Sequence, residues 1–145
     1  MNSGCRRRKV MYRTGSTLFM LLLLTSNAVF AASPRIDYLL YCSGCHRPTG
    51  EGYPPNVPTL HNELGKMLSV QQMRSYLVRV PGSNNAPIDD EALTGVLNWI
   101  LQEFNADTLP DGFQKLSTEE VGAARANLLA DPNKYRETYW KAYDF

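Results

Sequence analysis

The sequence of 145 residues predicts an all-α chain. Three observations carry that expectation. Apolar residues recur at i, i+3, i+4 and i+7 in separate windows, the spacing of a single helix face. Helix start and stop signals bracket those windows. No run of alternating apolar and polar residues is long enough for a useful strand, and there is no internal repeat or low-complexity segment.

The elements follow in order. Ser33-Pro34 pairs a capping residue with Pro at the first helical position, so a short helix is expected through Ile36, Leu39 and Leu40 to the cysteines. Arg47-Pro-Thr-Gly-Glu-Gly-Tyr-Pro-Pro-Asn-Val-Pro58 is too rich in Pro and Gly for anything but loop. Met73, Tyr76, Leu77 and Val80 place a second helix over about 69–80, ended by Pro81-Gly82. A loop over 83–88 leads to Asp89 or Asp90 as N-cap of a third helix. Its Leu93, Val96, Leu97, Ile100, Leu101 and Phe104 make a wide apolar stripe. Thr118-Glu-Glu-Val starts a fourth helix through Leu129, broken at Asp131-Pro132. A last aromatic segment carries Tyr135, Tyr139, Trp140 and Tyr143.

Charge is distributed unevenly. Arg6, Arg7, Arg8, Lys9 and Arg13 precede every acidic residue. From Ala32 onward, 10 basic side chains face 14 acidic ones, a net charge of about −4. A mildly acidic body lacks the basic face that phosphate binding needs, which argues against nucleic acid as a partner. The basic stretch precedes the apolar run Leu18-Phe-Met-Leu-Leu-Leu-Leu24, and Val29-Phe30-Ala31 follows. That order matches a secretory signal peptide over 1–31, cleaved after Ala31. The alternative, a retained anchor, meets an apolar core of only about ten residues, short for ~30 Å of hydrocarbon. Export implies a periplasmic location. There, spare thiols become disulfides, metal ligands or cofactor attachments. Cys5 precedes the apolar run and would leave with the signal.

Cys42-Ser43-Gly44-Cys45-His46 is the Cys-x-x-Cys-His haem-attachment signature. Two thiols three residues apart on a turn reach the two vinyl groups on one porphyrin edge. The adjacent His then swings beneath the ring and offers an imidazole nitrogen to the iron. Three other uses compete. A zinc site needs two more ligands, with His61 the one strong candidate. A thioredoxin-like pair needs a βαβ setting, and a plain disulfide leaves His46 unexplained.

From about Pro34 to Phe104 the chain resembles a class I c-type cytochrome domain, with the haem motif at the end of its first helix. The resemblance implies a cytochrome c-like fold: three core helices around one covalent haem c, over residues 32–105. Residues 106–145 would form a helical C-terminal extension. It implies thioether bonds at Cys42 and Cys45, with His46 as proximal iron ligand. Pro58, some twelve residues on, would offer its carbonyl to that imidazole's other N–H. Leu60, Tyr76 and Trp99 would belong to the haem pocket, and Gly95 would allow the last core helix to cross the first closely.

The family usually supplies a distal Met from the loop before its last helix. Here that place falls near Asn85 or Ala86, and no Met is present. Met73 and Met67 are the candidate replacements. His61 falls nearer the proximal side, as a surface residue. Otherwise the position is open, or holds water or an amide such as Asn85. Arg74 and Arg79 lie in the helix beside the pocket, where such arginines are solvated or meet haem propionates. A distal thioether suits an electron carrier working between redox proteins, a dehydrogenase donor and a terminal acceptor. An open position suits a haem enzyme or a small-ligand binder. A third reading is the cytochrome subunit of a larger oxidoreductase, docked through the C-terminal extension, whose simpler use is added packing on the haem domain.

Overall fold

The computed structural model of the chain describes Met1 and residues 33–143. The expected signal segment and its cleavage point, Met1 apart, lie outside the described residues. From Ser33 onward the chain forms one compact unit, and every regular element in it is helical.

Helix α1 (Pro34–Tyr41) opens at Ser33 with Pro34 in its first turn. A single turn, α2 (Ser43–His46), follows Cys42. The loop beyond folds on its own backbone. The Gly52 N–H donates to the His46 carbonyl (3.1 Å), and the Leu60 N–H to that of Gly50 (2.8 Å). Gly52 has φ +69°, and a Cβ there would fall 2.5 Å from the carbonyl oxygens of Val57 and Pro58. Only glycine satisfies both demands.

Helix α3 (Glu63–Met67) has too few residues for a periodic signal, and the sequence did not reveal it. Helix α4 (Gln71–Arg79) ends because Val80 precedes a proline and is pushed into extended backbone. Pro81 then opens another turn, α5 (Pro81–Asn84), where loop was expected. A fixed φ that stops one helix is suited to starting the next. Asp89 caps α6 (Asp90–Asn105), accepting from the Ala92 N–H at 2.8 Å.

A 3-10 turn (Ala106–Thr108) leads to α7 (Thr118–Arg125), capped by Ser117. Helix α7 stops short of the expected Leu129, whose N–H donates instead to the Arg79 carbonyl at 3.0 Å. Asp131-Pro132 does more than interrupt. Asp131 accepts from the Lys134 N–H (2.9 Å) and starts α8 (Pro132–Tyr139).

Helices α1 and α6 cross at Gly95, where an added Cβ would lie 3.3 Å from the Pro34 Cγ. Beside the crossing, buried Tyr38 packs its ring on Trp99 (5.0 Å) and Phe104 (5.6 Å). With Leu60, Val96 and Ile100 they form one apolar cluster. A second cluster joins Met67, Met73 and Leu77 to Leu93 and Leu97 of α6, and to Leu116 and Val121 of the C-terminal extension.

Polar clamps fasten that extension. The Asn98 amide donates to the Leu116 carbonyl (3.0 Å) and accepts from the Leu116 N–H (2.9 Å). Arg74 pairs with Glu120 and donates to the carbonyls of Gln114 (2.8 Å) and Lys115 (2.9 Å). Arg79 donates to the Asn127 carbonyl (2.8 Å) and lies over the Tyr135 ring. Both arginines were expected in solvent or at haem propionates. They bind the extension instead, because its turns leave carbonyls that the chain's own helices do not use.

Candidate functional site

A cleft of about 460 Å³ opens beside the cysteine motif. Cys42, Cys45 and His46 form one side. Leu60, Tyr76, Leu93, Val96, Leu97 and Ile100 supply much of the rest, so both apolar clusters contribute to its wall. The size and apolar lining are those of a cofactor site.

Cys42 is half-buried, Cys45 is exposed, and both are free thiols. Burial, then the charges of Asp37 and Cys45, push the Cys42 thiol up to about 11. A thiol so reluctant to ionise is unlike the reactive thiolate of a redox pair. Among the described residues no group of three His, Cys, Asp or Glu side chains stands ready to hold a metal ion, so the zinc use finds no ligand set.

The His46 Nδ1 lies 3.1 Å from the Pro58 carbonyl oxygen. A carbonyl only accepts, so Nδ1 carries the proton and Nε2 keeps its lone pair. Burial holds the imidazole below its ordinary pKa, against the opposing pull of the Pro58 bond, so the ring is neutral near pH 7. A neutral, oriented imidazole is what an iron ligand requires.

The far part of the wall is polar. Arg136, only 1% exposed, donates to Glu63 and to the Met67 sulfur (3.3 Å), and its guanidinium lies 3.9 Å above the Tyr143 ring. The Tyr76 and Tyr143 hydroxyls are 2.9 Å apart. The Arg136 Nε is buried with no hydrogen-bond partner, which costs about 1–3 kcal/mol unless something accepts from it. A haem fits this cleft. Its thioether edge would meet Cys42 and Cys45, its faces the apolar wall, and a carboxylate the orphaned Arg136 donor.

The structure brings Cys42, Cys45, His46, Pro58, Leu60 and Tyr76 to the cleft. Trp99 stands apart, packed between Tyr38 and Phe104 rather than on the wall. Met73 is wholly buried in the second cluster and does not reach the wall, and Met67 is bound to Arg136. His61 does not line the cleft, and its side chain is used elsewhere. Its Nε2 meets the Thr49 carbonyl and its ring packs on Phe104. Sequence reasoning missed Arg136 and Tyr143, which enter the cleft only because the extension folds back.

A helical domain with a neutral, buttressed histidine beside two unpaired thiols, at the mouth of an apolar cleft, defines a haem-c protein. No family model matches the chain. It is similar to a cytochrome c-552 of Thermus thermophilus, 30% identical over 131 residues, covering 78% of this chain and 88% of that one. A second Thermus thermophilus cytochrome c-552 is 29% identical over 106 residues, covering 61% and 81%. The chain belongs to the c-type cytochromes, and carries covalently bound haem c as an electron-transfer protein.

Proposed function

We propose that this protein is an exported mono-haem electron carrier. Cys42 and Cys45 hold the haem by thioether bonds and His46 ligates its iron. The reading rests on one observation above others, the His46 Nδ1 held by the Pro58 carbonyl beside two free thiols. The haem supplies a one-electron couple. The chain's own residues keep it fixed and dry: Pro58 orients the imidazole, the apolar wall excludes water, and the Arg136 Nε offers a hydrogen-bond donor to the polar edge.

Electron exchange would use the edge near the thioethers. Leu40 (66% exposed) and Tyr41 (43% exposed) flank Cys42 there and offer an apolar contact to a redox protein. A dehydrogenase donor or a terminal acceptor with a basic patch would suit the acidic body, complementary charge raising the encounter rate. Export to the periplasm is supported by the charged, apolar and small-residue order of 1–31. No described helix is long and apolar enough to cross a membrane. Residues 32–105 are the haem domain and 106–145 an extension that packs on it.

Co-expression with a haem-attachment system tests the assignment. The purified protein should retain haem after denaturation, with the haemochrome spectrum of two thioether links, and its N-terminus should begin at Ala32. Cys42→Ala should give a one-link spectrum, and His46→Ala should lose the low-energy bands of an imidazole-ligated iron. Haem extracted freely by acidified solvent would overturn the covalent assignment.

A further inference from the structure

We propose that none of the described side chains fills the iron's sixth position, which is open to a small neutral ligand of the diatomic class, such as carbon monoxide or nitric oxide. The inference rests on the haem reading above and goes beyond the carrier role.

The argument comes from where the possible ligands sit. Both described methionines of the right region are wholly buried away from the cleft. The Met67 sulfur accepts from Arg136, and Met73 packs among Leu77 and its neighbours. Neither belongs to the cleft wall. The Asn84 amide is turned toward α7, donating to the Arg125 carbonyl at 2.7 Å. Asn85 is exposed and is not on the wall either. The segment expected to carry a distal ligand contributes Pro81, Gly82, Ser83 and Ala86. Their one polar side chain is a neutral hydroxyl, a poor iron ligand.

Asn56 and Asn133 also line the wall, with neutral amides that are poor iron ligands, and the stronger donors there are committed elsewhere. Glu63 serves Arg136, Lys141 and Trp140. The Tyr76 and Tyr143 hydroxyls bond each other, and phenolate ligation would break that pair.

Nor is the loop free to lean inward. Arg125 donates to the carbonyls of Asn84 (3.0 Å), Ala86 and Ile88 (2.7 Å), and to Asp90 (3.0 Å). These bonds hold the loop from outside. A methionine–iron bond would otherwise do so from within. Leu77, Val80, Leu93 and Leu97 make much of the cleft wall apolar. It favours a neutral diatomic over an anion, whose desolvation it would not repay.

The test is optical, on the haem-loaded protein. The oxidised form should lack the near-infrared sulfur-to-iron charge-transfer band. The reduced form should bind carbon monoxide saturably, with a shift of its Soret band. Ala86→Met should reduce carbon monoxide affinity at least tenfold by placing a thioether on the wall, while Met67→Leu and Met73→Leu leave the spectra unchanged. A wild-type sulfur band, or a reduced form silent to carbon monoxide, would overturn the proposal while leaving the carrier reading intact. Purified protein without haem would instead overturn the haem assignment on which both rest.

Discussion

Arg125 shows what one side chain contributes here. Its planar fork reaches three carbonyls and a carboxylate at once, a geometry that an ammonium cannot reproduce. Arg125→Ala takes the side-chain donor from the carbonyls of Asn84 and Ile88, and leaves that of buried Ala86 with the Ile88 N–H alone. The expected loss is about 2–3 kcal/mol of unfolding free energy in a urea titration. Arg125→Lys should recover less than half of it.

Glu63 is the second such residue. Burial pushes its carboxyl up, but hydrogen bonds from Lys141, Arg136 and Trp140 outweigh that and hold it below its ordinary value of 4.5. A depressed folded value stabilises the protein above the ordinary value, and the benefit disappears as pH falls through the depressed one. Melting temperature should therefore drop below pH 4.5, and Glu63→Gln should flatten that part of the profile while lowering Tm at pH 7. An unchanged acid profile in the variant would show that other carboxylates carry the effect.

At the scale of elements, the extension is part of the core rather than an appendage. Leu116, Val121, Ala124 and Leu129 are buried against residues of α3, α4 and α6. Burial is worth about 1.5–3 kcal/mol for each large apolar side chain, against a typical domain stability of 5–15 kcal/mol. Three such residues, with the Asn98 and Arg74 clamps, account for most of what a chain this size has. A chain ended after Asp111 should lose its cooperative thermal transition and bind a hydrophobic dye. A sharp melt from the truncated chain would show that the haem domain is self-sufficient. The same fold-back explains Arg136, which α8 delivers to the cleft.

At the scale of the whole molecule, the cleft divides the apolar interior, with members of both clusters on its wall. A small domain can afford that gap only if something apolar fills it, and covalent haem does so without relying on affinity alone. Much of this was legible in the sequence. The Cys42–His46 motif and the placing of α1, α4 and α6 follow from spacing and capping, which act over a few residues, while the close crossing at Gly95 came from the family resemblance. The short α3 was not legible, being too brief to show a period, and α5 hid behind a Pro-Gly pair that reads equally as a stop.

The residues alone therefore announce what is local: the all-α class, the haem motif, the loop that carries Pro58, and the lack of a methionine near Asn85. Folding in three dimensions sets where Met67 and Met73 point, turns Arg74 and Arg79 to the extension, and brings Arg125 and Arg136 to the loop before α6 and the cleft. Those contacts join residues some 35 to 73 positions apart. They are made by side chains to backbone carbonyls or single carboxylates, groups present at almost every position, so no pattern of residue types announces them.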